Sequence, residues 1–520
     1  MQNETLIALL GPSADPVAAG WRLKELADNE SYDGTELIGE LSEQASLVQS
    51  SDPAILGGLL RVIHHLVARS AAASGGESYA KIPTHQLRQL DLALPEATPN
   101  RHLLLQLLAM IQTEESLSVL FDRLEQSPPA KWIDAAQVIG ALMQNPRWQV
   151  SWVFPRLLQC LQFPSLAAAT LDLANFLARE QQVSPHPAAD HVVMLNRLLG
   201  EVSSRLGNFE ENPRAFGDDV ETVQSTLGEA VSLAVSLCDA VGLIGDESSI
   251  GKLNQTVDLK HRRVQCEAAG ALARLGDELG KQRLLELTAD PAARLRAIAY
   301  ADELGLGDQV DPELRSETAT AEAEMSLWLT QPQQMGVPPT AIEVVDSRRM
   351  LWPSFSDRVD VHLVRFEYSF GEQKYSNIGI TGPVTFALSS DVADLPMDDI
   401  YAIYAGWHAE HPDIFVVPAE RFNIVQQRAM QDYVKHLEML EYEEIKPALL
   451  GFFLDEQAGV FTAQRGEIQC IVVTDGLETL DHTTAGRIRP LTPSDVFNLY
   501  KGRKMLRTFN PSSNPSLEEE

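Results

Sequence analysis

From residue 1 to about 310, leucine and alanine recur three to four residues apart with polar residues between them, and strand-like alternation is nearly absent. The pattern predicts an almost continuous series of helices, broken by short turns at Gln126-Ser-Pro-Pro, Asn145-Pro and Ser184-Pro. Residues 69–78, Arg-Ser-Ala-Ala-Ala-Ser-Gly-Gly-Glu-Ser, have the composition of a linker. They place a boundary near residue 75, with a helical cap over 1–75 and the main helical region over 76–310.

Within 216–308 an aliphatic-Gly-Asp triplet recurs as Ile244-Gly245-Asp246, Leu275-Gly276-Asp277 and Leu306-Gly307-Asp308, 31 residues apart both times. Laid over each other without a gap, 247–277 and 278–308 share seven residues, among them Leu253/Leu284, Arg263/Arg294 and Ala268/Ala299. Each unit reads as an apolar first helix, a turn and an alanine-rich second helix. Asp290 offers an N-cap acceptor ahead of Pro291, and Gly276 and Gly307 suit the turn that follows a helix. One helical hairpin cannot bury its apolar face alone, so the repeat predicts a stack of hairpins, an α-solenoid.

At these residues the chain resembles the short HEAT-like repeats of bilin-lyase-type HEAT proteins. The shared features are the leucine-rich first helix, Asp-x-x-x-Arg across the turn (Asp258 to Arg262, Asp290 to Arg294), the alanine-rich second helix and the terminal Leu-Gly-Asp. The resemblance covers the units 247–277 and 278–308, under a fifth of the chain; within 216–246 only Ile244-Gly245-Asp246 fits. It implies that Asp246, Asp258, Arg263, Asp277, Asp290, Arg294 and Asp308 are structural repeat positions, with the turn Asp and Arg forming a ladder between repeats. It also implies an alternative function, a lyase or chaperone acting on a tetrapyrrole-bearing protein, although such lyases lack a large α+β domain.

Residues 311–345 read as an acidic helix or linker, with Asp311, Glu313, Glu317, Glu322 and Glu324 against Arg315, and a solvated final helix is the preferred reading. A mixed pattern occupies 346–509. Val359, Val361 and Leu363 alternate with polar residues and then Phe366, Tyr368 and Phe370 do so one register out, which predicts a β-bulge near Val364. Further strands are expected at 375–381, 383–389, 449–454, 459–464 and 467–474. One helix follows Pro396 with Ile400, Ile403, Tyr404 and Trp407 on one face, a second spans 420–441 with Val425, Ala429, Tyr433, Leu437 and Leu440 inward, and a third opens at Thr492. The fold class is therefore a mainly α N-terminal solenoid, HEAT-like or armadillo-like, followed by an α+β domain with a mostly antiparallel sheet and a disordered tail over 510–520.

Composition narrows the chemistry. Of 520 residues, 73 are Asp or Glu and 41 Lys or Arg, a net charge of −32, which argues against partners held through phosphates. Within 387–456 there are 14 acidic and four basic residues, read as a solvated surface or a face for a basic protein. Lys501, Arg503, Lys504 and Arg507 oppose that trend and are read as complements to a helix end. Cys160, Cys238, Cys266 and Cys470 form no C-x-x-C pair, which suits a reducing compartment. The first residues lack the basic start of a secretory signal, and the apolar stretch 230–245, interrupted by Asp239, is too short to span a bilayer.

No motif commits the chain to catalysis. Gly245-Asp-Glu-Ser-Ser-Ile-Gly251-Lys252-Leu253 has one residue too many for a phosphate loop and no hydroxyl after the lysine. His408, Glu410 and His411 are weak metal candidates at a spacing unlike the helical zinc motifs. Asp398 and Asp399 read as helix-capping acids. The expectation is a cytoplasmic, non-enzymatic scaffold that binds another protein, one with a basic surface, without cofactor, nucleic acid or membrane. A HEAT-like glycosylase acting on nucleic acid would require a basic groove.

Overall fold

The computed structural model describes residues 9–11, 15–29, 32–144, 148–217, 219–331, 333–371 and 373–511. The expected turn at Asn145-Pro, the chain start 1–8 and 512–520 of the expected tail lie outside the described residues. The chain divides into two compact units, Met1–Leu284 and Leu285–Glu520, and the division falls inside helix Glu278–Leu287, so the second 31-residue unit straddles it.

The first unit holds α1 (Pro16–Asp28), α2 (Gly34–Glu43), α3 (Ala45–Ser50), α4 (Pro53–Ala73), α5 (Thr84–Ala93), α6 (His102–Ile111) and α7 (Glu114–Gln126). It continues through α8 (Trp132–Gly140), α9 (Val150–Leu157), α10 (Pro164–Arg179), α11 (Val192–Glu211), α12 (Val220–Ile244), α13 (Ile250–Val257) and α14 (Arg262–Arg274), and α15 (Glu278–Leu287) begins in it. Local chemistry starts these helices. Asp15, Asp33, Asp52, Thr113 and Asp219 accept backbone N–H groups in the turn that follows each of them, which satisfies donors that have no partner within the helix. The linker-like stretch 69–78 is the end of α4 followed by a turn at Gly75 and Gly76, whose φ values of +63° and +91° favour glycine.

The repeated triplet is punctuation between helices. Gly245 and Gly276 adopt the left-handed conformation (φ +81° and +83°), and the next residue caps the next helix. Asp246 accepts the Ser248 N–H and Asp277 the Gly280 N–H, both at 2.8 Å. The third copy departs from this: Gly305 takes the left-handed position (φ +71°), while Gly307 lies in a 3-10 turn, Gly307–Gln309. Asp290 also differs from expectation. Its carboxylate accepts the Ala292 N–H at 3.0 Å and caps a turn, and the helix after it starts only at Arg294.

Packing in this unit follows parity. Every even-numbered helix from α2 to α14 touches the next even-numbered one, while α3, α5, α7 and α9 form a second row and α11 touches α13. A single apolar cluster runs through the unit from Leu9 to Leu272. The apolar stretch near 230–245 belongs to α12, whose 25 residues are enough in length and composition to cross a membrane. Its residues from Ala230 to Gly242 are largely buried, and it packs against α10, α11 and α14 as a core helix does.

The second unit holds α16 (Arg294–Glu303), α17 (Glu317–Leu329), β1 (Ala341–Leu351), β2 (Arg358–Phe370), β3 (Gln373–Thr381) and α18 (Met397–His408). After these come β4 (Phe415–Pro418), α19 (Ile424–Met439), β5 (Glu443–Phe453), β6 (Glu456–Arg465), β7 (Ile468–Thr474), β8 (Thr479–Thr483) and α20 (Pro493–Phe509). Two antiparallel sheets form, one in the order β1-β2-β3 and one in the order β4-β5-β6-β7-β8. The sequence pattern did not announce β1, β4 or β8, and the strand expected at 383–389 reduces to a single bridge between Ile380 and Phe386.

These elements make five layers. α18 and α20 pair at the centre, and both sheets pack on them, the first through Val361, Leu363, Ile378 and Ile380, the second through Leu449, Val460, Ile471 and Val473. α17 covers the outer face of the first sheet at Val364, Phe366 and Tyr368, and α19 covers that of the second at Leu450, Phe461 and Val472. The register slip in β2 is thus a change of buried face, since 361 and 363 point to the centre and 364, 366 and 368 to α17. The bulge lies in the neighbouring strand, where Val345 is the extra residue between the pairs Val344–Val364 and Asp346–Leu363. α17 is accordingly not solvated all round; Ala319, Ala321, Ala323, Met325 and Leu329 are buried. In α19 the inward residues are Met430 and Leu437, with Val425 exposed and Leu440 partly so.

Element order shows that the second unit is a duplication: α17-β1-β2-β3-α18 is repeated as α19-β5-β6-β7-α20, with β4 and β8 added to the second copy. The sequence carries the same signal. Leu395, Asp399, Tyr404 and Gly406 recur 96 positions on as Leu491, Asp495, Tyr500 and Gly502, with Ile400/Val496, Tyr401/Phe497 and Ile403/Leu499 between them. The two glycines mark a local twofold axis. A Cβ on Gly406 would collide with the Asn498 carbonyl oxygen and a Cβ on Gly502 with that of Ala402, and Ala402 and Asn498 are themselves corresponding residues. Such reciprocal contact is the signature of a self-complementary interface.

Candidate functional site

Each half of the second unit offers the same place for a site, the end of the outer sheet face beside its covering helix. In the second half that place is filled. Strand pairing aligns Leu363 with Val460 and Thr381 with Thr474, so His362 corresponds to Gly459. Tyr433 and Met430 of α19 lie directly over Gly459, leaving no room for a Cβ. The Thr474 hydroxyl bonds the Glu478 carbonyl at 3.0 Å and shares a 2.9 Å hydrogen bond with the Thr479 hydroxyl.

In the first half the place is open. The first turns of α17 and the start of β2 bound a cleft of about 470 Å³, lined on one side by Arg315, Glu317, Thr320 and Glu324 and on the other by Phe355, Arg358, Asp360 and His362, with Gly382-Pro383 beside them. His362 is 7% exposed and its Nδ1 shares a 2.8 Å hydrogen bond with the Ser347 hydroxyl. Burial pushes the Glu324 carboxyl up from its ordinary value, and the His362 imidazole opposes the rise. Arg315 is held by Asp302 in a two-pronged pair (3.0 and 2.5 Å), so its charge is largely answered from outside the cleft. Thr381, opposite His362 in the strand register and therefore on the same sheet face, is completely buried and its hydroxyl has no partner.

The first unit carries a polar band across three consecutive even-numbered helices. Ser236 of α12 donates to Asp172 of α10 at 2.6 Å, Asn175 donates to the Ser236 carbonyl at 3.0 Å, and His186 meets Asn175 at 3.0 Å. Arg179 and Asp239 form an ion pair, and Arg263 of α14 acts on Asp172 through space. Solvent reaches Asp172, yet the protein around it is dense enough to raise its carboxyl, against the pull of the Ser236 hydrogen bond and Arg263. Burial lowers His186 to about 4.

The repeat positions singled out from the sequence have local structural roles. Asp246 and Asp277 cap helices, Asp258 immediately follows α13, and Asp308 sits in the 3-10 turn. The aligned arginines differ: Arg263 is exposed, whereas Arg294 is 4% exposed and ties a turn to α17. Its guanidinium donates to the carbonyls of Thr288 (3.2 Å), Ala289 (3.3 Å) and Ala319 (2.6 Å) and pairs with Glu322 at 3.1 Å. Gly251 and Lys252 lie inside α13, where backbone amides are committed to the helix and Lys252 meets Gln255 at 3.3 Å.

His408, Glu410 and His411 are not brought together. His408 Nδ1 accepts the Trp352 indole N–H at 3.1 Å, and His411 Nδ1 accepts the Asp413 N–H at 3.2 Å. Among the described residues, no three His, Cys, Asp or Glu side chains group as a metal ion would require. Asp398 and Asp399 do not cap α18; they bind Arg348 (2.7 Å) and Arg503 (2.7 and 2.6 Å). The cations of α20 likewise serve the same chain rather than a helix end, since Lys504 pairs with Glu456 and Asp475, and Arg507 with Glu478. Much of the acidic excess at 387–456 is therefore answered within the fold. No family model, curated protein or solved structure matches the chain.

Proposed function

We propose that the protein is a cytoplasmic protein–protein interaction scaffold: a HEAT-like α-solenoid that presents an extended surface, joined to an α+β module that supplies a second binding site. The observation that carries this reading is the unbroken contact of even-numbered helices from α2 to α14, the packing expected when each hairpin buries its apolar face on the next. The polar band of Asp172, Arg179, Asp239 and Arg263 lies along that row and offers alternating charge to a protein partner, one with a basic surface. The four cysteines are buried free thiols, in keeping with a reducing compartment.

Hydrogen exchange on the full-length protein, alone and with a captured partner, tests the scaffold. Protection over α10, α12 and α14, lost in the variant Asp172→Lys, supports it. A partner that protects none of these helices, or that binds the variant unchanged, counts against it.

A further inference from the structure

Resting on that scaffold reading, we propose that the open cleft beside β2 receives a basic side chain, arginine or lysine, from a partner polypeptide. The duplicated module supplies an internal reference. At the corresponding place the second half has Gly459 under Tyr433 and Met430, with a threonine hydroxyl fully bonded. The first half keeps the space, lines it with polar groups and leaves the Thr381 hydroxyl buried and unanswered. A buried hydroxyl without a partner is costly, and a ligand or a water held with it relieves that cost.

The lining selects the charge of the occupant. Glu317, Glu324 and Asp360 face Arg358 and an Arg315 already engaged by Asp302, so the cleft is net acidic. Phe355, 41% exposed, offers an aromatic wall for the aliphatic stem or the planar head of the incoming side chain. A carboxylate or phosphate would meet the same three acids and be repelled.

The test is a titration of the full-length protein at physiological salt with n-butylguanidinium and n-butylammonium, followed by ligand-observed NMR, with butyrate as the anionic control. Saturable binding of the two cations is expected, with butyrate about tenfold weaker or more. Thr320→Trp fills the cleft without changing a charge, and Glu324→Gln removes an acceptor; each is expected to weaken binding about fivefold. A remote neutralisation, Glu438→Gln with Glu441→Gln, controls for the general attraction of a chain of charge −32 and is expected to leave binding within about twofold. Unchanged binding in both cleft variants, equal loss in the remote variant, or equal binding of butyrate overturns the inference. Partner protection over α10, α12 and α14 is read separately, so its persistence would leave the scaffold standing while the cleft proposal fell.

Discussion

The two halves of the second unit share an architecture and differ in what they do with it. Both place a helix over the outer face of an antiparallel sheet and send the next helix to the central pair. The second half closes its outer face with Tyr433 and Met430 over Gly459, whereas the first stops short and leaves His362, Glu324 and the Thr381 hydroxyl around a cleft. The difference teaches that the shared centre, where the two halves pack on each other, is held by geometry that neither half can alter alone. The outer faces, each touched by only one half, are where chemistry was free to diverge.

The largest effect is expected at the shared centre. Gly406→Ala and Gly502→Ala each drive a methyl group into a backbone carbonyl of the opposite helix, so the helices must separate, at a cost of about 3 kcal/mol or more. Denaturant midpoints for the second unit should fall by similar amounts in the two variants; a large loss in one and none in the other would break the equivalence of the halves.

Lys501 sharpens the comparison because its counterpart is Ala405, also buried. The ammonium is 4% exposed, lies 5.5 Å over the Phe497 ring, and burial lowers it to about 8. Its folded pKa lies below the unfolded value near 10.4, so the native state holds fewer protons between those limits, and stability should rise as pH increases from about 8 to about 10.4. The gain is on the order of 3 kcal/mol. Lys501→Met should abolish that rise and raise the midpoint at neutral pH. A flat profile in the unsubstituted protein would show that the buried charge is answered by its surroundings.

The smallest effect belongs to the first unit. Asp277→Ala removes the acceptor for the Gly280 N–H and should cost about 1 kcal/mol, as other caps do. Because this interaction is local, thermal unfolding should shift by a few degrees at most, without loss of helical content in circular dichroism.

Much of this was legible in the residues. The 31-residue period was visible because glycine at a helix end and aspartate at the next start act within a few residues of their own positions. The 96-residue repeat was equally present, in Leu395, Asp399, Tyr404 and Gly406 and their counterparts, yet its intervening positions exchange Ile for Val and Tyr for Phe. The reason for its glycines is a contact between helices far apart in the chain. β1 escaped notice because Asp346, Ser347, Arg348 and Arg349 interrupt its alternation, as befits an edge strand with a bulge. The acids Asp398 and Asp399 were read as caps because their arginine partners, Arg348 and Arg503, lie 50 and 104 positions away.

The amino-acid sequence by itself determined where helices begin and end, which segments alternate as strands, and the strong acidity of the chain, because propensity, capping and charge are properties of residues and their near neighbours. Only the tertiary structure decided which face of β2 is buried at each end, which acids are neutralised, and that one of two equivalent places remains an open cleft. Those outcomes depend on what packs opposite each side chain, and the residues opposite are set by the path of the whole chain.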